Sequence, residues 1–314
     1  MLVVLSCLLI LLACLAVKLL FKRGTRLRAV RAVHRREGHG ERRGTGRGGV
    51  VTVRTPVTTP EDVEMVRERY GIEDAWPVTA EPFAQWVLED KFTLGRPPFE
   101  DAGVQLVDDV VPYELMKLRL LNASHQSLAH WGRLLGFEFA HDAAADPDVA
   151  AFTRAYLEKE ALETLLPVPG IDLPQYVNTL FERFTNASIA DTLARLAQDA
   201  SDRMPKFVLP TVRDNLKENR SIKLGAAMCA AWALGMEGKA EDGSEIVVDD
   251  QQGDRLVALA ARERDGEDTA VISDEAVFGE LGSDPRFVEA FTEALKAIRA
   301  DGARAVMKRL VEEG

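Results

Sequence analysis

Cysteine is scarce in this chain. Its 314 residues hold three, Cys7, Cys14 and Cys229. They show neither paired spacing nor a metal-binding pattern, so no structural disulfide and no metal site is expected, and a reducing compartment is. Positive charge is scarce outside one stretch. Residues 18–54 carry 12 basic and 2 acidic side chains, which leaves 27 basic against 48 acidic elsewhere. A body this acidic argues against a nucleic-acid partner, and solubility accounts for its charge. No internal repeat is evident. Long apolar runs are also rare, and the longest is Leu2–Phe21, interrupted by Lys18. Its length suits a membrane span. Lys22, Arg23, Arg26, Arg28, Arg31, Arg35 and Arg36 follow it, and no side-chain charge precedes it. That asymmetry predicts an anchor with the body on the cytoplasmic side rather than a cleaved signal peptide.

Residues 22–51 read as a basic, Gly/Arg-rich linker. Within it Gly44, Gly46 and Gly49 satisfy G-x-G-x-x-G as a bare pattern. A dinucleotide fingerprint must follow a strand and open a helix. Here charged residues precede the glycines and the strand-like VVTV follows, so no cofactor-binding residue is assigned. From Thr55 the text reads as folded protein. Thr59, Pro60, Glu61 and Asp62 mark a helix start. Trp86–Glu89 and Val104–Val107 read as short strands flanking a Gly95–Pro98 turn.

From Pro112 the pattern is helical almost throughout, with candidate helices at 112–136, 147–166, 173–184, 187–201, 205–218, 222–236, 251–263, 273–281 and, with breaks, 284–312. Glu245–Val248 is the main strand candidate there. One stretch stands out, Tyr113–His130, YELMKLRLLNASHQSLAH. At about 100° per residue, with Lys117 at zero, Glu114 falls near 60°, His125 near 80° and Asn122 near 140°. A base, an amide and an imidazole on one arc suit proton abstraction from an alcohol, although a solvated helix edge has the same composition. His130 and His141 read as ordinary histidines and Cys229 as a small core residue.

KLRLLNASH resembles the K-[LM]-R-x-L-N-x-x-H signature of the mannitol dehydrogenase family, the long-chain polyol and hexuronate dehydrogenases. FTLGRPPFEDAGVQLVDDVVPYELM and RFTNASIADTLARLAQDASDRMPKFVLP are similar to that family too. The resemblance implies a mainly α chain: an all-helical C-terminal domain at 111–314, like that of 6-phosphogluconate dehydrogenase, after a small α/β remnant of a Rossmann-type domain at 52–110. It implies metal-independent hydride transfer between a polyol and a ketose with NAD or NADP. By motif match Lys117 is the general base, and Asn122 and His125 position the oxygen. Arg195 and Arg203 contact substrate, with Arg203 standing where the family usually has lysine, a change of donor geometry, and Lys206, in the Pro-Lys-Phe piece, is a further candidate. Glu114 is a proton-relay candidate or a surface ion-pair partner. Asp191, Asp199 and Asp202 could instead hold the three cations in structural pairs. A lysine base needs its pKa lowered by desolvation or a nearby cation.

By the same resemblance, most of a nucleotide-binding domain is missing before Thr55, and Thr52 stands where an aspartate is usual. The chain alone is therefore expected neither to bind the cofactor well nor to turn over. The abrupt change of composition near residue 50 fits a genuine anchor or a reading-frame disruption, and favours disruption. The alternatives to an oxidoreductase are a membrane-tethered, non-catalytic sugar-binding or scaffold module, and a truncated gene product. The family implies a cytoplasmic location.

Overall fold

A computed structural model describes residues 49–52, 58–78, 80–81 and 83–313. The apolar run 2–21, most of the basic linker, and Gly44 and Gly46 lie outside the described residues. Contacts divide the chain into two units, one of residues 1–55 and 79–111, the other of 56–78 and 112–314.

The first unit is a three-stranded sheet of β1 (Gly49–Thr52), β2 (Gln85–Glu89) and β3 (Gln105–Val107) in that order. β1 runs antiparallel to β2, with Gly49 opposite Leu88 and Thr52 opposite Gln85. β2 runs parallel to β3, with Val87 opposite Gln105. The link between β2 and β3 turns at Gly95, whose φ of 74° suits glycine. Arg96 holds the turn. It donates through Nε and Nη2 to Asp90 at 2.8 and 3.0 Å and through Nη1 to Glu100 at 2.5 Å. Trp86 and Phe92 pack on Phe99, with centroids 6.2 and 5.8 Å apart.

The second unit begins with α1 (Pro60–Tyr70). Thr59 and Asp62 form a reciprocal capping box, Pro60 stands where its missing N–H costs nothing, and Gly71 ends the helix with φ 64°. The helical body follows. Its centre is α10 (Lys223–Gly235), buried at every residue but Lys223, as expected of a helix apolar all round. Against it pack α3 (Ala123–Leu134) and α13 (Pro285–Asp301). Rings of Trp232, Phe278, Phe287 and Phe291 follow one another at centroid spacings of 5.9 to 6.2 Å through this core. α5 (Pro147–Tyr156), opened by Asp146 and Pro147, packs on α14 (Ala303–Glu313).

The expected mainly helical fold is what is found. Several local expectations differ, among them the helix expected at 205–218, which is interrupted at Val208 between segments ending at Phe207 and starting at Leu209. Glu245–Val248 is not a strand: a single antiparallel bridge joins Lys239 to Glu245 across a turn at Gly243, and no further residues pair. The expected helix at 187–201 is broken. A short 3-10 turn ends at Ala190, which is left-handed at φ 46°. Thr192 then caps α7 (Leu193–Ala197) by accepting Arg195 N–H. Asp199, left-handed at φ 49°, starts α8 (Ala200–Phe207). Its N–H donates to Asp249 O and its carboxylate accepts Gln251 N–H, so a distant loop holds this break open. Among the described residues no helix is long and apolar enough to cross a membrane.

Candidate functional site

The Tyr113–His130 stretch is one helical rod whose winding changes midway. α2 (Val111–Met116) leads into a π turn (Lys117–Asn122), and α3 continues to Leu134. The change matters for geometry. A π turn takes in one extra residue, so everything beyond it lags a regular α-helix by roughly one residue's rotation, about 100°. Asn122 therefore moves from about 140° to roughly 40° of Lys117, and His125 to roughly 20° on the other side. The three side chains share a narrower face than α-helical spacing gives. Ala123 N–H reaches back five residues to Leu118 O. Ser124 Oγ donates to Leu120 O at 2.6 Å, filling part of the acceptor capacity that the irregular winding leaves.

Lys117, Asn122 and His125 are each half-buried. Burial lowers the Lys117 ammonium below the usual lysine value, and the exposed Glu114 carboxylate opposes this. No hydrogen bond or ion pair is made by Lys117 among the described residues. The His125 ring packs on Phe184 of α6 (Leu173–Phe184), with centroids 5.1 Å apart. Arg119, inside the same turn, points the other way and is buried. It donates through Nη1 to Thr164 O at 3.1 Å and through Nη2 to Asp214 at 2.7 Å.

The second constellation lies on α7 and α8, both packed on α3. Gly132 makes the approach of α7 possible: a Cβ there would stand 2.6 Å from Leu193 Cδ1 and 3.0 Å from Ala143 Cβ. Arg195 is exposed and forms a two-point pair with Asp191. Lys206 pairs with Asp202 at 2.5 Å. These two cations thus stand in structural pairs. Arg203 differs, because its Nη1 donates to the main-chain carbonyls of Leu196 and Arg195 at 2.8 and 3.2 Å, and burial lowers its pKa. Gln126 Nε2 donates to the same Leu196 carbonyl at 3.0 Å and so ties α3, next to His125, to the segment carrying both arginines. His130 is a neutral core histidine, held down to about 3 by burial, with its ring 6.3 Å from Trp232. Cys229 is buried, as expected of a small core residue.

The roles of Arg119 and Gln126 are not legible in the sequence. The signal for Arg119 is that it fills the arginine position of the signature, which gives it no role. A second buried ionisable group, Glu160, carries no sequence signal at all. It sits in another π turn (Leu157–Ala161) and accepts Leu224 and Gly225 N–H at 2.8 Å each, at the start of α10. Burial raises it to about 7 against the pull of those donors.

Among the described residues no group of three or more His, Cys, Asp or Glu converges as metal ligands would. A dinucleotide pyrophosphate needs a glycine turn joining a strand to a helix N-terminus. Gly49, the described glycine of the G-x-G-x-x-G pattern, instead opens β1. That glycine therefore does not form such a turn.

The helical fold and the run from Lys117 to His125 are where the comparison with known proteins bears. Residues 109–299 match the family model described as the mannitol dehydrogenase C-terminal domain, and the chain belongs to the mannitol dehydrogenase family. Mannitol 2-dehydrogenase of Aspergillus niger is 37% identical over 262 residues, 82% of this chain and 54% of that protein. The enzyme of Aspergillus terreus is 38% identical over 82% of the chain and 52% of its own length. Among solved structures, the ternary complex of Pseudomonas fluorescens mannitol 2-dehydrogenase with NAD and D-mannitol superposes with a TM-score of 0.77 at 38% identity, covering 85% of this chain and 55% of that one. A D-sorbitol dehydrogenase in substrate-free form gives the same TM-score at 31% identity, over 83% and 54%. The chain spans about half the length of the curated relatives it matches.

Proposed function

We propose that this chain carries the substrate-side half of a polyol–ketose oxidoreductase acting on a mannitol-like alcohol. The reading is supported by the π turn, which by its winding brings Lys117, Asn122 and His125 to a common face, and by a partly desolvated lysine that makes no ion pair among the described residues. In the oxidative direction neutral Lys117 takes the hydroxyl proton. Asn122 and His125 donate to the substrate oxygen and hold it as its charge changes. Glu114, exposed one turn before Lys117, then passes the proton to solvent. Arg203 binds substrate hydroxyls, and Arg195 and Lys206 join it where substrate displaces their carboxylate partners. The hydride acceptor of this reaction class is a nicotinamide cofactor, NAD in the solved relative's complex. The chain's own residues act on the substrate oxygen and its proton.

The test has two arms. The 314-residue chain and a chimaera carrying the nucleotide-binding half of a relative are assayed for D-mannitol oxidation and D-fructose reduction with NAD and NADP. The chimaera is expected to turn over and the chain alone is not. In the chimaera, Lys117→Ala should lower kcat by about 10²–10⁴, with a smaller change in KM. A folded chimaera inert on every polyol and ketose tried would overturn the reading. Clear nicotinamide binding by the chain alone would overturn the expectation that it is idle by itself.

A further inference from the structure

A π turn is costlier than regular α winding and persists where surrounding structure holds it. Here one buried side chain is placed to do so. Arg119 lies at the centre of the Lys117–Asn122 turn and points away from the Lys117 face. Its two terminal nitrogens reach two separate elements. Nη1 meets Thr164 O at the end of the 3-10 turn Leu162–Thr164, and Nη2 meets Asp214 on α9 (Leu209–Lys217). The side chain is only 9% exposed and that of Asp214 35%. The Nε atom is buried without an acceptor. A guanidinium held in that way, with one donor unused, is poorly explained as a stabilising ion pair alone. It is well explained as a fixed strut, because the planar fork fixes direction as well as distance.

We propose that Arg119 is a positioning residue: its anchorage to Thr164 and Asp214 holds the turn in its π form and thereby keeps Lys117 on the face shared by Asn122 and His125. The proposal deepens the reading of Lys117 as the base and rests on it for its functional meaning. Its geometric content is independent. Without the strut the turn relaxes toward α winding, and α3, buried on nearly every side, stays fixed. Lys117 then rotates by roughly 100° relative to His125, out of its half-buried place.

The experiment reads Lys117 directly and needs no turnover, so its failure is separate from that of the proposed function. The full-length chain is acylated competitively across a pH series, and mass spectrometry follows Lys117 against a free lysine peptide added as reference. Lys117 should titrate below that reference in the unaltered chain. In Arg119→Met its midpoint should rise toward the reference, while helical circular dichroism is retained. Arg119→Lys, which reaches one acceptor but not both, should fall between. Asp214→Asn, which leaves a neutral acceptor, should shift Lys117 least. A purely structural arginine would lower the melting temperature in all three without moving Lys117. An unmoved Lys117 midpoint in folded Arg119→Met overturns the proposal. Should that variant not fold, unmoved midpoints in Arg119→Lys and Asp214→Asn overturn it.

Discussion

Glu263 shows what a single buried carboxyl does to this chain. It is fully buried on α11 (Gly253–Arg264), with one oxygen accepting Val271 N–H at 3.3 Å. Burial raises it to about 8, against the Arg299 guanidinium and helped by Glu237 and Asp268. A carboxyl raised this far folds in its neutral form. Its favourable contribution is complete below the unfolded value near 4.5 and is lost as pH rises through about 8. Glu263→Gln keeps an acceptor for Val271 and removes the titration. The variant should match the parent near pH 4 and exceed it by about 1–3 kcal/mol at pH 9, read by urea melts across pH. A parallel pH dependence in the two proteins would refute the assignment. Lys117 runs the opposite way. Its burial favours the neutral amine, the form that accepts a proton, so a base there works at lower pH than an exposed lysine would.

Among elements, the contact between α3 and α7 depends on one missing side chain. Gly132 brings Leu193 within reach of the α3 backbone, and α7 carries Arg195 and presents the Leu196 carbonyl to Arg203. Gly132→Val should therefore destabilise by about 1–3 kcal/mol through overpacking. It should also weaken substrate binding in the active chimaera more than it slows the proton step. A melting temperature equal to the parent's would contradict the close approach. Elements also show what the sequence disclosed. Helices with local punctuation or clear periodicity were readable: Thr59 and Pro60 opened α1, and α6 spans 173–184 as the helical pattern suggested. The break at Asp199 was not, because its cause is a loop fifty residues on. Nor was the π turn, since KLRLLN has the composition of any amphipathic α-helix. The lysine, asparagine and histidine could be picked out by motif, but their true angular spacing could not.

At the scale of the molecule, stability and site share the same buried ionic groups. The helical body encloses Arg119, Glu160 and Glu263, all charged or chargeable and all within an apolar core. Such groups reward good geometry and penalise its loss. Two of them meet on neighbouring residues. Asp214 of α9 accepts from Arg119 in the first π turn, and Asn215 beside it donates to Glu160 O in the second at 3.0 Å. Two irregular turns some forty residues apart in sequence are thus fastened to one rung of one helix. In hydrogen-exchange terms, the amides of 118–123 and 158–162 should open with α9 as a single kinetic unit. A mutation that loosens α9 should then raise deuterium uptake at both turns together, with Lys117 released by an event on a helix that carries none of the candidate site residues.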